Sequence, residues 1–121
     1  MPLKKIRLEL ARTPDFPEGS AGCGYEFTAP LTRRGLLDIE GWQRDKASCT
    51  VRRFWQGEGD ERGSLIHRRS AWMFSYKPGE EDDEPIFRFD THRFKVGDYV
   101  SITEHDGVQR PFRVVTVTAV A

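Results

Sequence analysis

Residues 3–10 read Leu-Lys-Lys-Ile-Arg-Leu-Glu-Leu, and this alternation is the tightest constraint in the chain. On an extended backbone, successive side chains point to opposite sides. Ile6, Leu8 and Leu10 therefore share one face, while Lys5, Arg7 and Glu9 share the other. A helix would scatter the same residues around its circumference, so the stretch predicts a strand with one buried face. Gly24 to Ala29 repeats the pattern, with Tyr25, Phe27 and Ala29 together and Pro30 as its stop. Phe112 to Thr118 is dense in β-branched residues and predicts a third strand.

Turn residues divide the remainder. Two prolines and a glycine make Thr13–Ser20 a loop. Thr32 offers a helix cap, but Gly35 and Gly41 would each cost a helix about 1 kcal/mol relative to Ala. The reading preferred here is a strand over Leu36–Trp42, turning at Arg44-Asp45-Lys46, with a helix across 32–42 as the alternative. Cys49–Trp55 predicts a strand, Gly57–Gly63 a charged turn, and Ser64–Tyr76 one long bent strand. Lys77-Pro78-Gly79 breaks the chain before the acidic loop Glu80–Glu84, and Ile86–Phe89 reads as a short strand. In Lys95-Val96-Gly97-Asp98, Gly97 supplies a positive φ and Asp98 a bond to nearby backbone. A strand through Val100 and Ile102 follows, and Asp106-Gly107 marks a tight hairpin. With no internal repeat or linker, residues 1–121 form a single all-β domain. Its expected form is one small, closed or partly closed β-barrel of seven or eight strands, ending in a C-terminal hairpin.

Hydrophobic residues make up 37% of the chain and charged residues 31%, with a formal net charge of zero. Balanced charge favours a folded domain over disorder, and the 12% of aromatic residues must fill much of the core. Basic residues lead in 1–79 and acidic residues in 80–121, so opposite faces of unlike charge are expected. The 14 arginines against 5 lysines suit planar contacts with carboxylate or phosphate, although a GC-rich genome gives the same bias. Cys23 and Cys49 form no Cys-x-x-Cys pair, and no stretch has the apolar length of a signal peptide or membrane span. The expected setting is cytoplasmic, with both thiols reduced.

The pattern Phe-x-x-Gly-Asp-x-Val-x-Ile-x-Glu-x-Asp-Gly, continued by the valines of the last strand, resembles the closing part of PUA/ASCH-like barrels over residues 92–121. The resemblance implies a Gly-Asp turn leading into a strand and a final hairpin, in a family whose members commonly bind RNA or modified nucleotides. The chain has neither the early Gly-x-Lys turn nor the Glu-x-Arg strand of an ASCH domain, so no family site is carried over.

Three arginine pairs stand out: Arg33-Arg34, Arg52-Arg53 and Arg68-Arg69. A pair in a strand sends one side chain to each face. With Trp72 and its aromatic neighbours, Arg52, Arg53, Arg68 and Arg69 have the composition of a surface where guanidiniums hold phosphates and rings stack bases. The competing reading puts the aromatics in the core. His67, His92 and His105 lack a spacing that selects zinc or iron, and no metal or cofactor is expected. Cys49 reads as inert packing. Glu80–Glu84 lacks the spaced ligands of a calcium loop and reads as solvated. The expectation is a non-catalytic binding module for single-stranded RNA or a nucleotide. The alternatives are a protein-interaction or homodimerisation module, and a small enzyme using His67 or His92 with a carboxylate.

Overall fold

A computed structural model of the chain describes residues 3–68, 71–76, 84–85 and 93–120, the pair 84–85 by backbone alone. The strands are β1 (Leu3–Leu10), β2 (Ser20–Pro30), β3 (Thr50–Phe54), β4 (Glu61–Arg68), β5 (Ala71–Ser75), β6 (Glu84–Pro85), β7 (Tyr99–Thr103) and β8 (Gln109–Ala119). They form one sheet in the order β6-β5-β4-β3-β2-β1-β8-β7, antiparallel throughout. The sheet curls into a half-barrel, with β6 and β7 approaching one another across the gap.

Period-two alternation in β1 and β2 determines what lies inside. Ile6, Leu8 and Leu10 are buried, as are Tyr25, Phe27 and Ala29. They meet Phe74, Ile102, Phe112 and Val114 from other strands, and Phe94 from the segment before β7, in one core. The rings pack edge-on or tilted, with Tyr25 5.1 Å from both Phe74 and Phe112 and Phe27 5.2 Å from Phe74. Such contacts suit the ring quadrupole, so aromatics fill a core that is short of aliphatics. Irregular register between Arg7 and Leu8 on β8, and between Glu9 and Leu10 on β2, supplies the bends that curl the sheet.

The closing hairpin forms, with Gly97 in the expected positive-φ turn and Asp98 tied in by its main chain. Gly97 has φ 98°, and Lys95 O accepts a hydrogen bond from Asp98 N at 3.0 Å. Gly97 N donates to Val114 O and Val114 N to Asp98 O, both at 2.8 Å, so main-chain bonds fasten this turn to β8. At the hairpin tip, Gly107 has φ 82° and donates to Glu104 O, while Asp106 Oδ1 accepts from Val108 N at 3.0 Å.

Five expectations are corrected. Leu36–Trp42 is not a strand: Leu37 makes a single bridge to Leu31, and Ile39–Arg44 form a short helix, α1. Gly35 lies before α1, in a turn closed on Thr32 with φ 83°. Gly41 lies within it, where a β-carbon would come 3.0 Å from Pro30. Glycine here permits close packing, and the buried Trp42, whose Nε1 donates to Leu65 O at 2.8 Å, holds the helix on the sheet. Arg44, Asp45 and Lys46 span the end of α1 and the start of a 3-10 turn rather than a strand turn. Ser64–Tyr76 is not one bent strand but two, β4 and β5, paired from Ser64↔Ser75 to Arg68↔Ala71. The turn of 57–63 gives way to strand at Glu61, because Arg53 and Arg52 pair with Glu61 and Arg62. Within the acidic segment, Glu84 belongs to β6. Residues 80–83, the break at 77–79 and the strand expected at Ile86–Phe89 lie outside the described residues. Among the described residues, no helix is long and apolar enough to cross a membrane.

Candidate functional site

Arg52 and Arg53 split across the sheet. Arg52 points to the outer face, where its Nη2 donates to Glu26 Oε1 at 2.7 Å and its Nη1 to Asp60 Oδ2 at 2.9 Å. Arg53 points inward and is buried. Trp72 is also interior, only 3% exposed, with its ring 5.5 Å from Trp42 and 4.7 Å from His67. Arg68 ends β4 and is half-buried, and Arg69 lies outside the described residues. The described members of the expected set therefore occupy both faces of the sheet rather than one open surface.

Around Arg53 the structure assembles a polar group that the sequence reading did not single out. Glu104 is buried at the start of the β7–β8 hairpin loop. Its Oε2 accepts from Tyr25 Oη at 2.6 Å and from Arg53 Nε at 3.1 Å, and its Oε1 accepts from Arg110 Nη1 at 2.8 Å. Burial disfavours the charge on Arg53, but the charges and hydrogen bonds of Glu104 and Tyr25 outweigh it, so the guanidinium is held above its ordinary pKa. Arg110 also grips Asp106, at 3.0 Å and 3.1 Å. That contact and the Val108 amide hold the Asp106 carboxyl below the usual range.

These charges support an aromatic ring. The Arg53 guanidinium lies 4.3 Å from the centre of the Trp55 ring, and Arg110 lies 5.9 Å from it. Trp55 packs edge-on to Phe112 at 6.4 Å and is only half-buried. Beside it opens a cleft of about 390 Å³ lined by Arg12, Asp15, Phe16, Trp55, Gln109 and Arg110, among others. Phe16 enters through a tight turn, since Phe16 N donates to both the carbonyl and the hydroxyl oxygen of Thr13 at 3.1 Å. The cleft thus combines two half-buried rings, an exposed guanidinium at Arg12, and polar groups at Asp15 and Gln109. A larger depression of about 480 Å³ near Glu9, Glu18, Tyr99 and Arg113 is lined chiefly by polar groups. Ligand sites generally pair apolar walls with a few placed polar groups, which favours the Trp55 cleft.

The alternation of β3, β7 and β8 carried a signal for this site. Arg53 shares parity with Val51, Glu104 with Val100 and Ile102, and Arg110 with Phe112 and Val114. A charged residue at an inward position calls for a partner, and these charges find one another.

The other reactive side chains occupy ordinary positions. His67 packs against Trp42 and Trp72, and His105 lies 4.0 Å from Glu61, while His92 is outside the described residues. Cys49 precedes β3 instead of lying within it, and burial, with the charge of Asp45, raises its thiol to about 11. At neutral pH such a thiol is protonated and a poor nucleophile. Among the described residues, no three His, Cys, Asp or Glu side chains gather as a metal site. No protein-family model, no curated protein and no solved structure matches this chain.

Proposed function

We propose that the protein is a non-catalytic binding module that takes a nucleotide, or an unstacked base of single-stranded RNA, into the Trp55 cleft. The observation that carries this reading is the pairing of Phe16 and Trp55 in one cleft with Arg12 at its rim. Flat rings accept any base by stacking, worth about 1–3 kcal/mol per base, and a rim guanidinium suits the attached phosphate. Arg53 and Arg110 serve as supports: held by Glu104, they fix Trp55 from behind. Pre-positioning a ring in this way lowers the ordering cost of binding.

Titration of the protein with uridine and adenosine monophosphates, read by tryptophan fluorescence, tests the reading. Quenching that saturates, and that disappears in Trp55→Phe, is the expected result. No saturable quenching by either nucleotide would sink it.

A second reading, a protein-interaction or homodimerisation module, draws on β7, the terminal strand beside β8. Val96 and Tyr99 flank the Gly97 turn with exposures of 59% and 62%. Two large apolar side chains so close together are a small sticky patch on a terminal strand. Light scattering that gives a dimer mass, restored to monomer by Tyr99→Ser, would favour it.

A further inference from the structure

The outer face of the sheet carries a second feature that the cleft does not use. A groove of about 290 Å³ crosses β1 to β4, lined by Lys5, Thr28, Thr50, Arg52 and Arg62, with Glu26 as its acid. Its two sides are cross-strand rows. On one side Arg7 pairs with Glu26, Glu26 with Arg52 and Arg52 with Arg62. On the other Lys5 pairs with Thr28, and Thr50 with Ser64.

Two properties of these rows point to a ligand. The acid is already committed, since Glu26 gives one oxygen to Arg52 at 2.7 Å and the other to Arg7 at 3.3 Å. Lys5 and Arg62 are exposed and make no ion pair among the described residues. Moreover, Arg62 stands directly opposite Arg52 on the adjacent strand, and Arg52 already takes both Glu26 and Asp60, at 2.7 Å and 2.9 Å, which leaves neither acid for Arg62. An anion in the groove would supply that counter-charge. The hydroxyls of Thr28 and Thr50 lie between the cations and add neutral donors for oxyanion oxygens. Three strand spacings separate β1 from β4, about 14 Å, which is more than one phosphate fills.

From this we infer that the outer face is a track for the phosphodiester backbone of single-stranded RNA, with Lys5 and Arg62 each holding a phosphate of the same strand. The inference rests on the RNA reading of the cleft and extends it to the opposite face. A strand whose base enters beside Trp55 continues past the end of β3, where Phe54 faces outward and Trp55 inward, and then crosses the groove.

The test is fluorescence anisotropy of a labelled oligouridine, long enough to cover both faces, across a series of salt concentrations. Each lost phosphate contact on a single strand lowers the slope of log affinity against log salt by about 0.7, so Lys5→Ala/Arg62→Ala is expected to lower it by about 1.4. Lys5→Arg/Arg62→Lys keeps both charges and is expected to keep the slope. An unchanged slope in the alanine variant, with RNA still bound, would overturn the track. So would failure of the unaltered protein to bind RNA at low salt, or loss of slope for heparin alone. Mononucleotide quenching of the unaltered protein reports the cleft separately: if it fails while the RNA slope still depends on Lys5 and Arg62, the cleft falls and the track stands.

Discussion

The two faces of this sheet carry the same kind of charge network in different surroundings. Inside, Arg53 and Glu104 side chains are 6% and 1% exposed, while outside Arg52 and Glu26 are 27% and 24% exposed. Each glutamate joins two arginines, and each network places guanidiniums over an aromatic ring: Trp55 inside, and Phe54 outside, where Arg7 and Arg52 lie 4.3 Å and 5.0 Å from the ring centre. The residues are nearly interchangeable, but the cost of breaking them is not. Removing one member of a buried pair strands the other charge away from water, whereas an exposed partner is simply rehydrated.

Glu104→Ala should therefore be the most damaging of these changes. It leaves Arg53 without its main counter-charge, and a loss of about 3–5 kcal/mol in urea unfolding is expected. A loss below that of the outer-face variants would show that the inner pair is not the costlier one to lose. Tyr25→Phe should come next, at about 1–3 kcal/mol, because Glu104 then lacks one donor. Glu26→Gln should cost at most about 1 kcal/mol, and added salt should shrink that effect while leaving the Glu104 effect largely intact.

A pH series sharpens the same contrast. The hydrogen bond from Arg52 comes first among the causes that hold Glu26 below its ordinary value of 4.5; burial opposes it, and Arg7 adds to it. A depressed carboxyl pKa stabilises the fold above the unfolded-state value and loses that contribution as pH falls through the folded-state value. The small penalty of Glu26→Gln should thus be full at neutral pH, begin to shrink as pH falls past the ordinary value of 4.5, and be gone only below the lowered folded-state value, as read by thermal melts across the range.

How far the sequence revealed this arrangement depended on which physical signal governed each region. Where one face is buried, alternation decides the structure, and β1, β2 and β8 follow it; the strong turn residues Gly97 and Gly107 also take the positive φ expected of them. Where tertiary contact overrides local preference, the reading went astray. Gly41 looked like a helix breaker because its close approach to Pro30 is a long-range fact of packing. The break between β4 and β5 carries no glycine or proline between Arg68 and Ala71, so nothing local marked a hairpin there. The inner charge group was partly legible, since Arg53, Glu104 and Arg110 all occupy inward parity. Their meeting depends on a curvature that residue spacing does not encode. The splitting of Arg52 and Arg53 followed directly from strand geometry, whereas the burial of Trp72 depended on where Trp42 would dock.

The position of β1 between β2 and β8 also bears on how the chain is made. During synthesis β1 can pair with β2 early, but its other edge must wait for residues about a hundred positions later, an interval that follows from the pairing of Ile6 with Val117. Until then an amphipathic edge is open to pairing with any neighbouring nascent chain, which makes ribosome-bound intermediates the stage most exposed to aggregation.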